Sequence, residues 1–154
     1  MTETAAGGMG RHALLVVSST PHTTASDRKP IPALLRFTSA LFSNLQLMQK
    51  KGEWPTDVEI VIYHPPLGFV RADDLIGPIN EGERATPEQL HRNYEEFGNL
   101  LEKYTNVRLA LVDHHWVLFK NHRELDRSDL EVVRITGYTS EKLRKIRYWL
   151  DKLS

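Results

Sequence analysis

Four apolar runs, residues 12–17 (HALLVV), 57–63 (DVEIVIY), 107–112 (VRLALV) and 131–135 (EVVRI), alternate with segments whose apolar residues recur every three or four positions. The runs have the length and β-branched content of strands, and the spacing between them is helical. Strands separated by helices are expected to lie parallel, joined by right-handed crossovers. The expected fold is α/β, a single domain spanning residues 11–154 with a mainly parallel four-stranded sheet and helices on both faces, Rossmann-like in arrangement. The unbroken apolar content of residues 12–17 fits a strand buried on both faces.

Between the runs, Leu34, Phe37, Leu41, Leu45 and Met48 stack on one face of a helix opening near Ile31 and closing before Gly52 and Pro55. Thr86-Pro87-Glu88-Gln89 opens a second helix with a hydroxyl N-cap, proline at the first helical position and Gln89 placed for a capping box. Its stripe is Leu90, Tyr94, Phe97, Leu101 and Tyr104. Residues 116–126 read as a short helix. Thr139 or Ser140 caps the last helix, whose apolar face holds Leu143, Ile146, Trp149 or Leu150, and Leu153. Residues 64–85 read as a long, mostly irregular loop, and residues 1–10 (MTETAAGGMG) as a disordered tail.

Composition narrows the chemistry. A chain of 154 residues buries roughly two-thirds of its unfolded surface, enough for one core. With no cysteine, disulfides, thiolate metal sites and cysteine nucleophiles are excluded, which leaves oxygen and imidazole chemistry. Lys and Arg balance Asp and Glu at 20 each, so no overall field draws a polyanion. No stretch approaches the ~20 apolar residues of a membrane span, and the first ten residues lack the order of a signal peptide, so a cytoplasmic protein is expected without a membrane partner.

Each run ends in small, histidine-bearing or glycine-bearing residues: Ser18-Ser19-Thr20-Pro21-His22, His64-Pro65-Pro66-Leu67-Gly68, Asp113-His114-His115 and Thr136-Gly137-Tyr138. Parallel strands bring these ends to one edge of the sheet, where open α/β folds place ligands. Ser18, Ser19 and Thr20 offer hydroxyls and amides to a phosphate, carboxylate or nucleobase edge. Neither GxGxxG nor GxxxxGK[ST] spacing is present, and no GxSxG elbow supports serine hydrolysis. Asp113-His114-His115 has metal-ligand chemistry, but adjacent side chains diverge, so a metal would need His64, His22 or Asp73 as well; no metal is assigned. Gly137 before a helix suits an anion, while Glu141 in the first turn suits ordinary capping. The basic run Arg144-Lys145-Ile146-Arg147 with Tyr148 and Trp149 reads as a solvated face or as a nucleic-acid surface.

Three segments carry a resemblance: Thr38-Ser39-Ala40-Leu41-Phe42, then Ile62-Tyr63-His64-Pro65-Pro66-Leu67-Gly68-Phe69-Val70, then Asp74-Leu75-Ile76-Gly77-Pro78-Ile79. Together with Gly137 ahead of Lys142-Leu143-Arg144, their order resembles the YaaA-like superfamily of small α/β domains, which includes the YaaA-type peroxide-stress proteins, related uncharacterised domains and a domain of archaeosine synthase. The resemblance implies the fold, a pocket beneath Leu67-Gly68 and an association with nucleic-acid or nucleobase biology. Many members follow the first strand with a Ser-Cys-x-Lys-x-Lys-like segment. Here Ser18-Ser19-Thr20 has no cysteine and the nearest lysine is Lys29, so cysteine and lysine chemistry does not carry over.

The expected function is binding of a small polar or nucleotide-like ligand at the strand ends by Ser18, Ser19, Thr20, His64, Gly68, Asp113, His114 and Gly137. The alternatives are an enzyme acting on a nucleobase, nucleotide or phosphoester, with or without a metal, and a nucleic-acid-binding or protein-interaction module. The sequence assigns no catalytic residue, cofactor or oligomeric state.

Overall fold

The computed structural model describes residues 13–23, 29–80 and 82–153. The expected tail lies outside them, as do Arg11 and His12. In chain order come β1 (Ala13–Ser18), β2 (Ile31–Pro32), α1 (Ala33–Arg36), α2 (Ala40–Lys50), β3 (Val58–His64), β4 (Gly68–Arg71) and β5 (Leu75–Ile76). There follow α3 (Pro87–Leu101), β6 (Asn106–Ala110), α4 (Asp113–Phe119), a 3-10 turn (Arg123–Asp126), β7 (Glu131–Arg134) and α5 (Thr139–Leu153).

The sheet is five-stranded in the order β4-β3-β1-β6-β7, and β2 and β5 form a separate antiparallel ribbon. β1 pairs in parallel with β3 and β6, and β7 continues the parallel set. Successive side chains of β1 point to opposite faces, and both faces are apolar. Ala13, Leu15 and Val17 pack with Leu34, Phe42, Leu45, Met48, Ile146 and Trp149 of α1, α2 and α5. Leu14 and Val16 pack with Phe97, Leu101 and Phe119 of α3 and α4. Each buried leucine or valine stabilises this arrangement by roughly 1.5–3 kcal/mol relative to exposure.

The four-stranded expectation is corrected by β4, an antiparallel edge strand inside the segment read as an irregular loop. Pro65 and Pro66 end β3, but they also form the turn that reverses it, closed by Leu67 N donating to His64 O at 2.9 Å. The helix expected from Ile31 is interrupted. Phe37 is extended and bridges to Thr23, Thr38 N donates to His22 O, and the Ser39 hydroxyl accepts from Phe42 N to start α2 afresh. Here a tertiary bridge and a local N-cap override an apolar period that ran through both helices. In α3 the Thr86–Gln89 capping box is present, but Asn93 takes a core position and Tyr94 is exposed.

Gly68 opens β4 with φ +86°, and a Cβ there would lie 2.5 Å from Glu96 Oε1 and 3.2 Å from Asn93 Oδ1. A Gly68→Ala substitution should cost about 1–2 kcal/mol from the left-handed backbone alone. Most of that loss should persist in Gly68→Ala with Glu96→Ala, because the carboxylate tip swings away cheaply. Urea unfolding of both variants checks this; full recovery in the double variant would show the contact, not φ, to be the constraint.

Candidate functional site

Because Ser18 pairs with Tyr63 in the β1–β3 register, the next residue on each strand, Ser19 and His64, also lie side by side. Ser19 Oγ is 2.9 Å from His64 Nδ1, and Ser19 N donates to Tyr63 O at 2.9 Å, which extends the ladder one residue beyond the strand. Both side chains are half-buried, and the His64 ring packs 5.4 Å from that of Phe37. Burial lowers the His64 pKa, opposed by the negative charge of Glu83.

One residue earlier, a second serine and histidine meet in a different environment. Ser18 Oγ accepts from Val112 N at 2.9 Å and is 2.8 Å from His115 Nδ1. Ser18 is 6% exposed and His115 4%, so solvent scarcely reaches this contact. It fastens the end of β1 to the turn between β6 and α4. The His115 ring lies edge-on to Tyr63 at 4.9 Å, and burial pushes its pKa down to about 4, with His114 and His64 adding to the shift.

The triplet Asp113-His114-His115 is the first turn of α4, which starts three residues before the helix expected at 116. No capping side chain marks that start in the sequence; Val112 occupies the N-cap position. Helical rotation separates the triplet: His115 is buried, His114 is exposed, and the Asp113 side chain is 94% exposed. Asp113 meets Arg134 at 2.6 Å, a hydrogen bond that holds its carboxyl below the usual carboxylate range. Among the described residues, no group of three or more His, Asp or Glu side chains gathers where a metal ion could be held.

Of the other expected residues, Thr20 directs its hydroxyl to the carbonyls of His22 and Thr38, bracing the start of the following loop. Gly137 has φ +109° and faces its own helix: Glu141 Oε1 accepts from Tyr138 N, so a carboxylate from the chain already occupies this turn. The structure thus brings Ser18, Ser19 and His64 together, sets Asp113 and His114 beside them after β6, and leaves Gly137 beyond β7. In the basic stretch of α5, whose charged residues are exposed, Lys145 donates to Thr136 O and Arg147 lies 3.6 Å from Glu53; further along, Lys152 lies over the Tyr148 ring.

Sequence reasoning missed two supporting residues and left a third unplaced. Asn93 donates to Tyr63 Oη and Pro65 O, both at 2.9 Å, and so ties α3 to the end of β3. Its signal was a polar residue on the Leu90–Phe97–Leu101 stripe. Arg134 donates to Leu111 O as well as to Asp113 and lies over Trp116, whereas nothing in EVVRI sets it apart from a solvent-facing strand residue. His115 was visible, but its burial followed from a helix start that the sequence did not mark.

Two cavities lie elsewhere. One, of about 590 Å³, lies at the amino half of β3 and is lined by Leu34, Leu35, Gln49, Trp54 and Ile60 among others. The other, of about 580 Å³, lies between α3 and the 3-10 turn, against Tyr94 and His122. None of the eight expected ligand residues lines either. Among the described residues, no helix is long and apolar enough to cross a membrane. Comparison with protein-family models, curated proteins and solved structures finds no match for this chain.

The buried imidazole makes stability depend on pH. An unfolded histidine takes a proton near pH 6.5 and His115 in the fold only near 4, so between these values the unfolded state binds more protons. Stability should be flat above pH 6.5 and fall as the pH drops toward 4, by about 3 kcal/mol for His115. Denaturant unfolding at pH 7.5, 5.5 and 4.5 measures the slope. His115→Phe should flatten it in part, because His64 shifts in the same direction; an unchanged slope would mean that His115 is not the group responsible.

Proposed function

We propose that the protein binds a small polar or nucleotide-like ligand across the carboxyl ends of β1, β3 and β6. The supporting observation is the position of the two serine–histidine contacts. β3 lies on one side of β1 and β6 on the other, and the chain leaving β1 covers one face of the sheet while the chain leaving β6 covers the opposite face. Such a reversal leaves a crevice at the strand ends. Ser18 braces its floor through Val112 N and His115. Ser19 and Thr20 supply hydrogen-bonding oxygens at its rim, with His64 and Gly68 as a wall and Asp113 and His114 as exposed polar groups. Gly137 marks its outer limit. This reading treats the sheet as Rossmann-like and the chain as a YaaA-like domain, and that resemblance favours a nucleobase-bearing ligand over other polar molecules.

Thermal unfolding with a panel of nucleobases, nucleosides and nucleoside monophosphates tests the reading. A ligand at a hundred times its Kd adds about 2.7 kcal/mol and raises Tm by several degrees. Ser19→Ala and His114→Ala should each reduce the rise, while Gln49→Ala in the 590 Å³ cavity should leave it intact. Absence of any rise in the wild type, or a rise lost only in Gln49→Ala, overturns the reading.

A further inference from the structure

We propose that Ser19 and His64 form a nucleophile and general-base pair that cleaves a carboxylic ester in this crevice, an inference that rests on the crevice being a ligand site. Two serine–histidine contacts stand one residue apart, and burial sorts them. Ser18 and His115 are sealed, and the Ser18 oxygen is already spent on Val112 N. Ser19 and His64 are half-buried, so this pair keeps contact with solvent while its imidazole is partly shielded from water. Ser19 N is held by Tyr63 O and the His64 ring by Phe37, so the 2.9 Å contact joins two groups whose backbones are fixed. A nucleophile and base at that separation is the arrangement that activates a serine hydroxyl.

Desolvation keeps His64 neutral at pH 7, and in the tautomer protonated at Nε2 its Nδ1 lone pair accepts the Ser19 proton. The charge of Glu83 opposes desolvation and favours the imidazolium formed at that moment. Ser19 Oγ adds to the ester carbonyl carbon as its proton passes to His64 Nδ1. The tetrahedral intermediate collapses, the ester C–O bond breaks, and the departing oxygen takes that proton and leaves as an alcohol. Water then adds to the acyl-Ser19 carbonyl and gives its proton to His64, which returns it to Ser19 Oγ as the carboxylic acid departs. The sum is ester plus water to acid plus alcohol.

The test is covalent labelling of the full chain with an alkyl fluorophosphonate, with the modified residue located by peptide mass spectrometry. The expected result is modification at Ser19, absent in Ser19→Ala and at least a hundredfold slower in His64→Gln with an unchanged circular dichroism spectrum. Hydrolysis of p-nitrophenyl acetate should show the same ranking. Folded wild-type protein left unmodified at Ser19, or labelling as fast in His64→Gln, overturns the proposal. In either event the ligand-dependent rise in Tm still reports separately on the crevice. Should His64→Gln fail to fold, the wild-type labelling site decides the question alone.

Discussion

The structure depends on β1 being buried on both faces and paired on both edges. Its side chains from Ala13 to Val17 have no measurable exposure, so the strand satisfies its backbone only through β3 and β6 and fixes their register against itself. A slip of one residue would put Leu14 and Val16 where Leu15 and Val17 pack, against helices shaped for the other set. The constraint ends where the apolar run ends. Beyond Val17 the ladder loses its partners one by one, and two serine hydroxyls take up the groups left over: Ser18 for Val112 N and Ser19 for His64. The polar edge is thus a product of the same strand that makes the core.

The central part of this arrangement was legible in the residues. Continuous apolar runs identify β1, β3 and β6 because strands covered on both faces need no alternation, and the Thr86–Gln89 box identifies α3 because its chemistry is local. What was not legible depends on contacts distant in sequence. Phe37 continues the apolar period of Leu34 and Leu41, and only its bridge to Thr23 makes it extended. Phe69 and Val70 form too short a run to announce an edge strand, yet the turn at Pro65 and Pro66 delivers them alongside β3.

The strand ends were legible as a place and less so as a set of roles. Taking Asp113-His114-His115 as a strand-end loop separates the three only by the divergence of adjacent side chains. A helix starting at Asp113 turns about 100° per residue and assigns them separately: one imidazole to the core, one to the surface, and the carboxylate to Arg134 on the neighbouring edge strand. A triplet that suggests a metal site is thereby divided between packing and an ion pair. The exposed pair contributes little to stability at 94% exposure of the Asp113 side chain. It also occupies the only arginine of the expected strand EVVRI, so an anionic ligand at this edge would have to compete with Asp113 for the guanidinium.

His115 and His64 differ in what the fold gains from them. His115 costs stability at low pH, but it gives Ser18 a second partner and places a ring against Tyr63, so its presence is accounted for by packing and hydrogen bonding. His64 makes the same two kinds of contact, with the Ser19 hydroxyl and the Phe37 ring, but at a half-buried position. A leucine or phenylalanine at the end of β3 would pack on Phe37 without desolvating a titratable group, and Ser19, half-exposed, could satisfy its hydroxyl with water. Imidazole at that position therefore adds proton-accepting chemistry beside a half-buried serine, where an apolar side chain and water could serve the fold instead. Ser18, one residue earlier on β1, turns to His115 of α4 in a sealed contact, so the contrast between the two serines is internal to the molecule.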